Sequence, residues 1–258
     1  MRAATTRILK AIAVLGLMAL AACGSGGGND AGPAEASGPI SSAEGLWIGS
    51  TSTSRTVTAF ALNDGTYWML YSVPHVSALI GGFVQGTGSS LDGSFSSSDG
   101  IDFNVEGNGI NPTTLTASYM SKQSFSGSVT YPILNQAFTF TSTYNSDYDQ
   151  TPSVSALAGT YTGIASTGGS TELTAIVISA PGVLAGTGTG GCHFVGTVVP
   201  RSKGNLYSLA VVFGGGACTN GTASVTGVGY FDASAKRLYA ATLNNARSVG
   251  LVFMGTKP

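Results

Sequence analysis

Gly45-Leu46-Trp47-Ile48-Gly49 and Gly159-Thr160-Tyr161-Thr162-Gly163 share the pattern G-x-(W/Y)-x-G and lie 114 residues apart. Each follows a turn-rich stretch and opens a run of strand-like sequence. Solenoid repeats recur every 20–50 residues or so, and this offset is far longer. It marks two tandem domains of similar design.

Outward from the second pentad, strands begin near Gly159, Glu172, Val183, Cys192, Leu206, Thr222, Arg237 and Ser248. Turn signals fall at hairpin spacing along the whole chain: Asn63-Asp64-Gly65, Asp99-Gly100, Asn108-Gly109, Pro181-Gly182, Lys203-Gly204-Asn205 and Asn244-Asn245. Eight antiparallel strands joined by short turns predict an up-and-down barrel, which removes exposed edges by closing on itself. The first half supplies eight or nine candidate strands. The expected fold class is all-β: two tandem small antiparallel β-barrels of about eight strands each. They occupy residues 44–145 and 157–258, with a linker over 146–156 that contains Pro152. No convincing amphipathic helix follows the N-terminal segment.

Period-2 alternation sets the strand faces. Phe125, Gly127, Val129 and Tyr131 alternate with Ser124, Ser126, Ser128 and Thr130. Ile101, Phe103 and Val105 alternate with Asp102, Asn104 and Glu106, so the second set is expected on a wet face. Tyr67–Val73 and Thr174–Ser179 are apolar on both sides, which suits a domain interface, a ligand site or plain central packing. Trp47, Trp68 and Tyr71 read as core rather than contact residues.

Charged residues are 9% of the chain, against about 25% in typical soluble domains. Hydrophobic residues are 43%, which argues against disorder. Residues 44–152 carry eight acids and two bases, net −6; residues 157–258 carry two acids and six bases, net +4. Three readings stand: docking of the halves, a basic face for an anionic partner such as lipopolysaccharide or a protein, or scattered charges on solvated turns. Neither half is basic enough to suggest nucleic acid.

Arg2, Arg7 and Lys10 precede an apolar run from Ala11 to Leu20, and the small residues Ala21 and Ala22 precede Cys23. That order is the layout of a secretory signal peptide, and the run is about half of what a spanning helix needs. Leu20-Ala21-Ala22-Cys23 resembles the lipobox of bacterial lipoproteins at all four positions. The resemblance implies a signal peptide over 1–22, cleavage before Cys23 and acylation of that residue, hence anchoring to the membrane through lipid. Gly24, in place of the Asp that signals inner-membrane retention, implies an outer-membrane address. Residues 23–43 are then a lipidated tether, since Gly24 to Ser42 is rich in Gly, Ser, Ala and Pro and has no aromatic residue. A transmembrane barrel is the weaker reading, because aromatic girdles are missing and a lipid anchor would be redundant.

With Cys23 acylated, Cys192 and Cys218 remain, and an even pair in an exported protein is most simply a disulfide. Catalytic and metal chemistry is thinly supplied. His75 and His193 lie in different halves and form no metal-ligand spacing. There is no G-x-S-x-G elbow. Gly186 to Gly191 matches G-x-G-x-x-G, but a strand follows it, so it reads as a hairpin connection. Asp147 and Asp149 beside Tyr144 and Tyr148 could hold Ca²⁺; a polar linker is preferred. No catalytic residue, metal site or cofactor is assigned, and no enzyme activity is expected.

The lipobox, the Gly/Ser tether and two tandem barrels together resemble the plan of Gram-negative surface lipoproteins, the factor H-binding protein and transferrin-binding protein B families. The residues that carry this are the two G-x-(W/Y)-x-G openings and the strand spacing, and no ligand-contact motif transfers. The resemblance implies a non-catalytic binding lipoprotein of the cell envelope, meeting a protein or envelope glycan through barrel-end loops. Two alternatives are a lipocalin-like carrier of a small apolar ligand and an inhibitor of a secreted hydrolase.

Overall fold

The structure, a computed structural model, describes residues 42–258. The expected signal peptide, Cys23, Gly24 and the expected tether up to residue 41 lie outside the described residues.

Nine strands form the first half: β1 (Gly45–Thr51), β2 (Thr56–Ala61), β3 (Thr66–Val73), β4 (Val76–Thr87), β5 (Ser89–Leu91), β6 (Ser94–Asn104), β7 (Ile110–Met120), β8 (Ser124–Tyr131) and β9 (Gln136–Tyr144). The sheet order is β4-β3-β2-β1-β9-β8-β7-β6-β5, and β4 also pairs with β6, closing an eight-strand barrel. The short β5 stands outside the ring as a hairpin on the first residues of β6. The second half holds β10 (Gly159–Thr167), β11 (Ser170–Ile178), β12 (Val183–Gly188), β13 (His193–Pro200), β14 (Tyr207–Phe213), β15 (Ser224–Asp232), β16 (Arg237–Leu243) and β17 (Gly250–Thr256). These form a second closed up-and-down barrel. Two closed eight-strand barrels are the fold the turn spacing predicts. No helix among the described residues is long and apolar enough to cross a membrane.

The repeated pentads do the same work in each barrel. Trp47 and Tyr161 are fully buried. Each donates a hydrogen bond back to the carbonyl four residues upstream, Trp47 to Ala43 and Tyr161 to Leu157. Each pins the entering chain into the barrel end. The closing glycine of each pentad lies on the seam with the last strand. A Cβ on Gly49 would sit 1.9 Å from the Thr141 carbonyl, and one on Gly163 would sit 2.1 Å from that of Met254. Any side chain there would push the closing strands apart.

Each barrel has its own core. Trp47, Phe95, Leu115, Phe125, Val129 and Phe140 pack inside the first. Tyr161, Ile176, Phe194, Val211, Phe213 and Phe253 pack inside the second. A third cluster joins them: Phe60, Trp68, Phe83 and Phe103 of the first barrel pack with Leu206, Val228, Tyr230 and Val252 of the second. Trp68 stacks on Phe83 at 5.7 Å and Phe83 on Phe103 at 4.7 Å. This resolves the doubly apolar Tyr67–Val73: Tyr67, Met69 and Tyr71 face the lumen, Trp68 and Leu70 the other barrel. Thr174–Ser179 differs. Ile176 and Ile178 are core, while Val177 is 49% exposed on the outer surface.

Two turn and face readings need correction. Asp99-Gly100 is no turn; it is a bulge inside β6, with a register shift between Ser97 and Gly100. Asp99 is held there by the Thr87 amide and the Ser97 hydroxyl, so the chain kinks without reversing. The wet-face reading of Asp102 and Asn104 is inverted. Both are buried and point into the first barrel, while Phe103 between them faces the second. Alternation shows that two faces differ, but not which is outside once a second barrel covers the apolar one.

The linker is structured. Ser146–Asp149 is a 3₁₀ turn and Val154–Leu157 a single helical turn, α1, capped by Ser153. Tyr148 donates to Glu44 and Tyr230 donates to Asp147. Arg201 pairs with Asp64 at 2.8 Å and Arg247 with Asp99 at 3.7 Å. The docking reading of the charge split is therefore realised in these two pairs.

Candidate ligand site at the mouth of the first barrel

The loops after β1, β3, β6 and β8 converge at one end of the first barrel, opposite the end where Ser42 and Ala43 enter it. They surround a cavity of about 410 Å³, within the roughly 300–1,000 Å³ typical of small-ligand sites. Its floor is Tyr71 from β3, Asp102 and Asn104 from β6, and Tyr131 from the end of β8. Arg55, Asn108, Asn111, Gln136 and Phe138 form the walls, and Leu134 stands at the rim. Next to Leu134, Ile133 is 76% exposed.

Asp102 is the centre of the floor and only 2% exposed. Tyr71 donates to its Oδ1 at 2.7 Å and Tyr131 to its Oδ2 at 2.8 Å. Asn104 donates through Nδ2 to the Tyr71 hydroxyl. Its Oδ1 accepts the amides of Glu106 and Asn108, which shapes the loop after β6. Burial pushes the Asp102 carboxyl up to about 6, against the two phenol hydrogen bonds and the Arg55 charge, which pull it down. Burial also pushes both phenols well above their usual range, and the adjacent carboxylate adds to this.

Arg55 lies over the Tyr71 ring, 5.2 Å from its centroid. Its Nη1 donates to the Ser72 carbonyl and pairs with Glu106. The one guanidinium of the wall is thus already matched. Asn111 donates Nδ2 to the Asn108 carbonyl. The side chains of Asn108 and Gln136 make no hydrogen bond among the described residues. The mouth therefore has an internally hydrogen-bonded polar floor and unspent polar groups at the rim.

A larger crevice of about 620 Å³ runs between the barrels beside the linker, lined by Glu44, Lys122, Tyr144, Tyr148, Asp149 and Arg201. Most of its charged groups are used internally: Lys122 pairs with Asp149, Arg201 with Asp64, and Glu44 accepts from Tyr148, while Lys203 at its edge is exposed. Asp149 also accepts from Tyr144. These contacts account for Asp147 and Asp149 as part of the docked linker. Among the described residues no group of three or more His, Cys, Asp or Glu could hold a metal ion.

The other residues singled out from sequence are dispersed. Cys23 lies outside the described residues. Cys192 and Cys218 form a disulfide that ties the start of β13 to the loop after β14. His193 is exposed beside Thr187, and His75 occupies a turn at φ 62°. The interior of the second barrel offers only about 20 Å³ at this disulfide end. The sequence reading missed Asp102, Asn104 and Tyr131 as a unit. A usable signal existed: true outer faces such as that of β8 carry Ser and Thr, whereas this face of β6 carries Asp102, Asn104 and Glu106.

No family model and no curated protein matches the chain in sequence. Among solved structures, it is similar to a Bacteroides fragilis protein described as belonging to the outer membrane: 16% identity, 85% of this chain and 97% of that one, TM-score 0.26. It is also similar to a point mutant of transferrin binding protein B from Haemophilus parasuis: 9% identity, 79% and 53% covered, TM-score 0.30. Transferrin binding protein B from Neisseria meningitidis serogroup B gives 10% identity, 79% and 66% covered, TM-score 0.28. The chain thus spans about half to two thirds of the transferrin binding proteins it matches. At these scores the likenesses carry no functional argument.

Proposed function

We propose that this chain is a non-catalytic binding lipoprotein of the bacterial envelope, held in the outer membrane through lipid on Cys23. It meets its ligand at the mouth of the first barrel. One observation carries this reading: an open cavity of about 410 Å³ with a pre-built polar floor, at the barrel end opposite the entering chain. Asp102, clamped by two phenols and almost fully buried, suits holding a shape more than exchanging protons. A carrier of small apolar ligands fits less well, because aromatic side chains fill both barrel interiors.

The anchor is tested by labelling cells with radioactive palmitate. The wild-type chain is expected to take up label and partition with outer membranes, and Cys23→Ser to lose both. Label on Cys23→Ser, or an unlabelled wild-type chain, would overturn the anchor. Protease shaving of intact cells then reports which envelope face presents the barrels.

A further inference from the structure

We propose that the mouth takes a neutral saccharide unit, an inference that rests on the mouth being the binding site. Its charge balance comes first. The full charges lining it are Arg55 and Asp102. Arg55 is matched by Glu106 and the Ser72 carbonyl, and Asp102 by two phenols. A strongly charged ligand would find no unmatched countercharge to offset its desolvation.

The unspent groups are carboxamides. Asn108 and Gln136 keep their whole hydrogen-bonding capacity, and Asn111 keeps its oxygen after donating to the Asn108 carbonyl. A carboxamide sets a donor beside an acceptor in one plane. Adjacent hydroxyls of a sugar ring each donate and accept at similar spacing, so the two match in pairs. The half-buried rings of Tyr131 and Phe138, with centroids 6.0 Å apart, complete the arrangement. They offer apolar faces to the C–H side of a pyranose, burying area without charge. The Tyr131 hydroxyl is fixed on Asp102, so the ring is pre-oriented and little order is lost on binding.

The test is calorimetric titration of the purified full chain, in detergent, with the Cys192–Cys218 disulfide intact. The probes are glucose, galactose, mannose, N-acetylglucosamine and their β-linked disaccharides; glucose 6-phosphate and a short oligolysine are the charged comparisons. Saturable binding of at least one neutral sugar is expected. Asn108→Ala in the loop after β6 and Gln136→Ala at the start of β9, both exposed, should each weaken it roughly 2- to 10-fold, the worth of one hydrogen bond. Val183→Ala, on the second barrel, should leave it unchanged. Binding insensitive to Asn108→Ala and Gln136→Ala would overturn the site. Binding of only a charged probe, weakened by those variants, would overturn the ligand class while leaving the mouth as a binding site. Binding of no probe would overturn the saccharide proposal. A photo-crosslinker at Leu134 on intact cells would then judge the mouth separately.

Discussion

Asp102 carries a penalty that the fold around it tolerates. In the unfolded chain its carboxyl titrates near 3.8; in the folded chain burial raises it to about 6. Below 3.8 both states hold the proton. Between these values the folded state keeps a proton the unfolded chain has released, so stability falls as pH rises, by about 3 kcal/mol once pH exceeds 6. Asp64 and Asp99 act in the opposite sense. Burial raises each, but the Thr66 and Arg201 contacts of Asp64, and the Thr87, Ser97 and Arg247 contacts of Asp99, outweigh it and hold both below the usual range. Their stabilisation is lost as pH falls. Asp102→Asn should therefore flatten the melting temperature across pH 4–7 and leave the acid limb intact, as read by thermal melts over a pH series. Tyr161→Phe is the second residue-scale prediction. It strands the buried Leu157 carbonyl and should cost about 1–3 kcal/mol in denaturant unfolding. Trp47 and Tyr161 were legible as anchors because a repeated aromatic between glycines stands out in a Ser/Thr background. Asp102 was not, because its neighbours alternate in the same way whichever face is covered.

At the scale of elements, the barrels depend on seams that have room for no side chain. Gly163→Ala places a methyl against the Met254 carbonyl of β17. It should destabilise the second barrel by about 1–3 kcal/mol, the usual cost of overpacking. Gly168→Ala has nothing within 4 Å and should change stability by less than about 0.5 kcal/mol. Circular dichroism melts of the two variants compare them directly. The strands of the second barrel were legible, because turn residues punctuate uniform alternation and each strand begins within two residues of its expected start. The first barrel was harder. Its Asp99-Gly100 bulge is held by the Thr87 amide of β4 and by Arg247 of the second barrel, which local sequence does not report.

The whole molecule behaves as one packed object over the described residues, because the aromatic cluster between the barrels is as buried as either core. Phe83, with no exposed surface, lies at its centre. Phe83→Ala should cost about 3–5 kcal/mol. Scanning calorimetry should show one transition for the wild-type chain and two resolved transitions for this variant. The charge split acts partly inward. Arg201 and Arg247 are used on the first barrel, and Lys257 on the carbonyls of Ala156 and Ala158. That leaves half of the second barrel's six bases for any outside partner. The direction of β1, from the entering Ala43 towards Thr53 and Arg55, sets the mouth at the opposite end of the first barrel. The most direct test of that account places a benzophenone photo-crosslinker at Leu134 in the mouth, and separately at Val183 on the second barrel, in intact cells of the native host. The expected result is a mass-shifted adduct from Leu134, lost in Cys23→Ser, and none from Val183. Adducts from Val183 with none from Leu134 would contradict it.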